Sequence, residues 1–152
     1  MKLEEAIKSV NFRNQTHKAG LNILYTAWWL KTTMSRELKN FGLTHEQYNV
    51  LRILKGKNPE EMCVKDIAGR MIEKSSNVPR IIDRLVLKKL VKRSTDLEDK
   101  RHTLMSLTPA GVNILELSTA KINKLFDELI PMDDASASKL NTLLEKVREK
   151  EP

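Results

Sequence analysis

From Leu21 onward the apolar residues recur at helical spacing in nearly every segment, and the clear exception is residues 91–107. Ile23, Ala27, Leu30, Met34, Leu38 and Phe41 step by 4, 3, 4, 4 and 3, the stripe of an amphipathic helix. Leu21, Leu24 and Trp28 form a second stripe beside it. Two stripes fit a helix contacted from two sides, as at a subunit interface, and a monomer core produces the same pattern. Val112, Leu115, Thr119, Ile122, Phe126 and Leu129 repeat the spacing later in the chain, and Leu140, Leu143, Leu144 and Val147 share one face near its end. A chain of 152 residues patterned this way is expected to be one mainly α domain.

The breaks are as specific as the stripes. Gly42 stops the first long helix, which spans about Leu21 to Phe41; residues 1–19 read as a short helix or a frayed arm. Thr44 and Gln47 form a T-x-x-Q capping box, with Leu43 and Tyr48 in the places of a hydrophobic staple. That helix buries Tyr48, Leu51 and Leu54 and ends by Gly56-Lys57-Asn58-Pro59. Val64, Ile67, Ala68 and Met71 predict a short helix over 64–72. Ser75 and Ser76 offer an N-cap for the next, which runs to about Lys89 with Pro79 in its first turn. Val91–Thr95 and His102–Leu107 predict a β-hairpin with a polar tip. Thr108-Pro109 opens a long helix closed by Pro131, and Asp133 or Asp134 caps the last one.

The net charge of +7 is unevenly placed. Residues 74–93 alone hold seven basic side chains and one acid, a cluster that attracts a polyanion, nucleic acid before membrane. On the helix opened by Ser75 and Ser76, Val78, Ile81, Ile82 and Leu85 line one face, while Asn77, Arg80 and Arg84 share another. Asn and Arg carry forked donors suited to base edges and phosphates, and a helix N-terminus points free N–H groups at an anion. The basic hairpin follows at once. This order is that of a winged helix-turn-helix, and it points to double-stranded DNA.

Other chemistries are poorly supported. His17, His45 and His102 lack partners at metal-ligand spacing, so no metal or other cofactor is expected. No glycine-rich phosphate loop or nucleophile elbow occurs, and the chain is read as a non-enzyme. Cys63 stands alone, so no internal disulfide forms; it reads as a buried small hydrophobe rather than a redox sensor. No apolar run approaches the roughly 20 residues of a membrane span, and Met1-Lys2-Leu3-Glu4-Glu5 is unlike a signal peptide. A soluble cytoplasmic protein is expected.

Three segments resemble the MarR (multiple antibiotic resistance regulator) family of bacterial transcription factors over roughly residues 20–130. They are Leu43-Thr44-His45-Glu46-Gln47-Tyr48-Asn49-Val50-Leu51, then Ser76-Asn77-Val78-Pro79-Arg80-Ile81-Ile82-Asp83-Arg84-Leu85, and Asp99-Lys100-Arg101 with Leu107-Thr108-Pro109-Ala110-Gly111. The resemblance implies a homodimer on a near-palindromic operator. Residues 44–107 would form the DNA-binding lobe, and 1–41 with 108–152 a helical dimerisation region. It implies that Ser75, Ser76, Asn77, Arg80 and Arg84 face the major groove. Arg101 would enter the minor groove, supported by Asp99, with Lys100 at a phosphate. It also implies a small aromatic or phenolic effector, with repression as the default output. Trp28, Met34 and Tyr48, with Trp29 and Phe41 beside them, are the residues expected to line its pocket, although their spacing equally suits core or interface. One position departs from the family pattern: Lys89 stands where a glycine commonly precedes the wing. A protein-interaction module whose basic helix docks an acidic partner is the alternative reading; it has no need of the wing arginine.

Overall fold

The computed structural model describes residues 1–74 and 77–151. The helices are α1 (Leu3–Ile7), α2 (Gln15–Lys39), α3 (His45–Lys57), α4 (Val64–Arg70), α5 (Val78–Leu87), α6 (Pro109–Leu129) and α7 (Asp134–Val147). Strands β1 (Met62–Cys63), β2 (Val91–Thr95) and β3 (Thr103–Leu107) form one antiparallel sheet in the order β1-β3-β2. The expected class, mainly α with a winged helix-turn-helix and a small hairpin, is the observed one.

Capping sets most of the boundaries. Thr44 Oγ1 accepts from the Gln47 N–H at 3.1 Å, and Gln47 Oε1 accepts from the Thr44 N–H at 3.1 Å. Leu43 and Tyr48, the staple pair, are both buried. Thr108 Oγ1 accepts from the Gly111 N–H at 3.0 Å, and Asp133, rather than Asp134, caps α7 through the Ser136 N–H at 2.7 Å. α2 begins six residues earlier than the apolar stripe suggests. Asn14 caps it by accepting from the His17 N–H at 2.8 Å, and Gly20 is carried inside the helix. β1 has no counterpart in the sequence reading, because two residues are too few for an alternation to show; its register pairs Met62 with Met105 and Cys63 with Leu104. Cys63 is also not the buried hydrophobe expected: it is partly exposed, where β1 gives way to α4.

The core lies between α3, α5, α6 and the sheet. Leu51, Leu54, Ile67, Ile82, Leu85 and Met105 are all fully covered. α5 supplies Val78, Ile81, Ile82 and Leu85 to it. Burying four such side chains is worth roughly 6–12 kcal/mol, against at most about 1 kcal/mol for a surface ion pair on the opposite face. The rotation of α5 about its axis is therefore set from inside.

The wing is joined to α5 by a tight turn. The Lys89 N–H reaches Val86 O at 2.9 Å and the Leu90 N–H reaches Leu85 O at 3.0 Å, the paired bonds of a Schellman ending. The residue between them must take a left-handed conformation, and Lys89 does, with φ 59°. The turn thus keeps its shape without glycine. It also accounts for Gly111: a Cβ there would sit 2.1 Å from the Leu90 carbonyl oxygen. Lys89→Gly is expected to stabilise the fold by about 0.5–1 kcal/mol. Gly111→Ala is expected to cost about 1–3 kcal/mol. Urea unfolding of the two variants checks both signs.

Candidate nucleic-acid interface and an adjoining cavity

With its apolar side inward, α5 turns Asn77, Arg80 and Arg84 to solvent, all exposed. They border a shallow depression of about 210 Å³ whose other wall is Thr44, Glu46 and Gln47 at the start of α3. Ser75 and Ser76 lie outside the described residues.

The basic cluster is partly used internally. Arg93 on β2 is ion-paired with Asp83 on α5. Lys88 donates to the Gly42 carbonyl oxygen, and to Gln47 Oε1 at 2.9 Å. Arg80, Arg84, Lys89 and Lys92 make no ion pair among the described residues, so this part of the cluster's charge, on α5 and at the start of the wing, is left unneutralised. Lys88 has a positioning task that the sequence reading did not anticipate. Charge patterning counts a lysine but does not tell which ones reach a backbone carbonyl.

The β2–β3 hairpin holds its register from Val91 opposite Leu107 to Thr95 opposite Thr103. At its tip the Glu98 N–H donates to Asp96 Oδ1 at 2.9 Å, and the His102 N–H to Asp99 O at 2.9 Å. Arg101 forms a two-pronged pair with Asp99: Nε to Oδ1 and Nη2 to Oδ2, each at 3.0 Å. The Arg101 N–H donates to the same carboxylate at 3.1 Å. The Arg101 side chain is nevertheless 88% exposed, against 31% for Asp99. Asp99 therefore fixes the direction of an arginine that still projects into solvent. The Arg101 guanidinium and N–H hold the Asp99 carboxyl below its usual value, and the carboxylate raises Arg101 in return. Lys100 is exposed beside them.

A cavity of about 620 Å³ opens between α2, α3 and α6. Trp28, Met34 and Tyr48 line it, with Phe126 completing an apolar wall. Its polar rim carries Lys31, His45, Arg52 and Glu73. The Tyr48 hydroxyl donates to Thr119 Oγ1 at 3.2 Å, which pins the ring. Trp29 lies elsewhere, in a hollow with Leu3 and Tyr25, and Phe41 packs on the core. The volume is in the range of small-molecule sites.

Residues 43–103 match the model of the MarR family. The HTH-type transcriptional regulator SarZ of Staphylococcus haemolyticus is 26% identical over 106 residues, 70% of this chain and 71% of that one. Residues 43–103, from the start of α3 to the start of β3, are a MarR-type region. Solved structures share the chain's fold. The S. aureus MepR–DNA complex superposes with a TM-score of 0.78 at 21% identity, over 86% of this chain and 96% of MepR. The organohalide-sensing regulator RdhR in its 2,4-dichlorophenol-bound form superposes with a TM-score of 0.81 at 19% identity, over 94% of this chain and 89% of RdhR. Like these proteins it is a winged helix-turn-helix, and among its described residues no helix is long and apolar enough to cross a membrane and no three potential metal ligands cluster.

The Asp99–Arg101 pair carries a pH signature. A depressed carboxyl value means that the contact's contribution to wing order is complete above the ordinary value of 3.8 and fades as pH falls through the lower, folded value. Carbon-detected NMR titration should place the Asp99 midpoint below 3.8, and Arg101→Ala should return it toward that value. A midpoint at or above it in the parent protein contradicts the pairing.

Proposed function

We propose that this protein is a MarR-type, homodimeric, sequence-specific DNA-binding transcriptional regulator of the cytoplasm, acting as a repressor. The observation that carries the reading is the two-sidedness of α5. Its apolar face is buried, and Arg80 and Arg84, with Asn77 at its N-cap, are exposed beside the wing. A helix of this kind fits the major groove, while an arginine at a wing tip suits the narrow minor groove. Residues 44–107 would be the DNA-binding lobe. That MepR has the same fold and was crystallised with DNA supports this docking.

The dimer reading rests on surface that one chain leaves open. α7 has no buried residue, and Leu140, Leu143 and Val147 are exposed along it. α2, 25 residues long, buries only Leu38 and exposes Leu24, Trp28 and Trp29. Exposed apolar side chains along two helices fit an interface, and a second copy of the chain, joined through residues 1–41 and 108–152, would cover them. Two lobes held this way would meet half-sites one helical turn apart, roughly 34 Å. The cavity beside Trp28, Met34 and Tyr48 is the proposed site of a small aromatic or phenolic effector. RdhR, of like fold, has been solved with 2,4-dichlorophenol. A ligand that favours a different lobe separation by ~1–3 kcal/mol lowers DNA affinity about 5- to 150-fold.

Binding to duplexes selected by the protein from a random library tests the assignment of residues. Arg80→Ala should lose about 1–3 kcal/mol on the selected duplex and little on random duplex. Lys100→Ala should weaken both alike. Equal losses for Arg80→Ala on both would contradict its role as a base reader. Sedimentation equilibrium should give twice the chain mass of 17.5 kDa; a monomer would remove the basis for paired half-sites.

A further inference from the structure

The connector after α4 is tied to the body at successive residues. Met71 is buried, and the Ile72 N–H donates to Asn49 Oδ1 on α3 at 3.0 Å. Lys74 Nζ donates to Gly69 O at 2.7 Å. These contacts stay within the winged lobe. Glu73 reaches out of it: both of its carboxylate oxygens lie 2.7 Å from Lys31 Nζ on α2. At the other end of α5, Lys88 makes a second crossing, to the Gly42 carbonyl just beyond α2. The two crossings lie before and after α5 in the sequence, one reaching α2 and the other the turn that follows α2. The Lys31–Glu73 pair is also part of the rim of the 620 Å³ cavity.

We infer that Lys31 and Glu73 are positioning residues for DNA recognition: their ion pair sets the entry of α5 relative to α2, and hence the aim of Asn77, Arg80 and Arg84. This inference rests on the DNA-binding reading above. The pair is half-exposed, at 42% and 43%, so it biases orientation rather than holding the fold together. A pair of this kind is worth up to about fivefold in an equilibrium per lobe, hence up to about 25-fold for a dimer using two lobes on one site. Because an exposed pair adds little to global stability, the effect is sought in recognition and not in unfolding.

Charge reversal separates this role from plain electrostatics, since plain electrostatics shifts affinity for every duplex alike and leaves the specificity ratio unchanged. Glu73→Lys adds positive charge near DNA, which alone tightens binding to every duplex. If the pair positions α5, Glu73→Lys binds the selected duplex about 2- to 25-fold more weakly relative to random duplex. Lys31→Glu loses the same specificity ratio. The double variant Lys31→Glu/Glu73→Lys, with the parent's net charge, recovers it to within about twofold. Glu73→Gln gives a smaller loss without reversing charge. Thermal midpoints and sedimentation of all four match the parent. Unchanged specificity in Glu73→Lys, or no recovery in the double variant, overturns the inference while leaving the DNA-binding reading intact. A parent protein that selects no duplex defeats that reading first.

Discussion

Burial of one face of α5 is the constraint on which the rest depends. Val78, Ile81, Ile82 and Leu85 cannot be exposed together at tolerable cost, so the helix has one orientation about its axis. Everything polar on it is then forced outward. Arg80 and Arg84 are displayed by what lies behind them. A recognition surface built this way can change its outward residues with little effect on the fold, which suits a scaffold reused for many DNA sequences.

The remaining contacts around α5 adjust its aim. Asp83 holds Arg93 of β2, so the wing moves with the helix. The Schellman ending at Lys89 and the close approach of Gly111 to Leu90 bring α6 up against the same turn. Lys88, after α5, reaches the turn that follows α2, and Glu73, before α5, reaches α2 through Lys31. α2 is itself mostly uncovered in one chain, with Leu24 and Trp28 facing outward. A second subunit packed there would have mechanical access to both lobes, and so would a ligand in the cavity that Trp28 lines.

Much of this was legible from residue spacing because helices dominate the chain and their caps are local. The Thr44–Gln47 box, the Thr108-Pro109 start and the stop at Gly42 depend on a few neighbouring residues, and they fall where the sequence places them. The two faces of α5 follow from periodicity alone. What spacing could not supply is contact between distant parts. β1 exists only because Met62 and Cys63 lie against β3. Asn14 extends α2 through a polar segment with no stripe to announce it. Glu73 and Lys31 are 42 residues apart, and nothing in either neighbourhood marks them as partners. Lys89 is the reverse case. A lysine where the turn calls for a left-handed residue suggests altered geometry, yet the turn is retained, because two backbone hydrogen bonds and the packing of Leu90 outweigh a strain of about 1 kcal/mol.

The central claim is that the outward stripe of α5 lies in the major groove, twice per dimer. Methylation interference on the selected duplex tests it most directly, because methylation of guanine N7 blocks the major-groove edge that Arg80 or Arg84 would contact. Two clusters of interfering guanines about 10 base pairs apart are expected, related by the dyad of the site. Binding that is indifferent to N7 methylation, or a single unpaired cluster, would contradict the account.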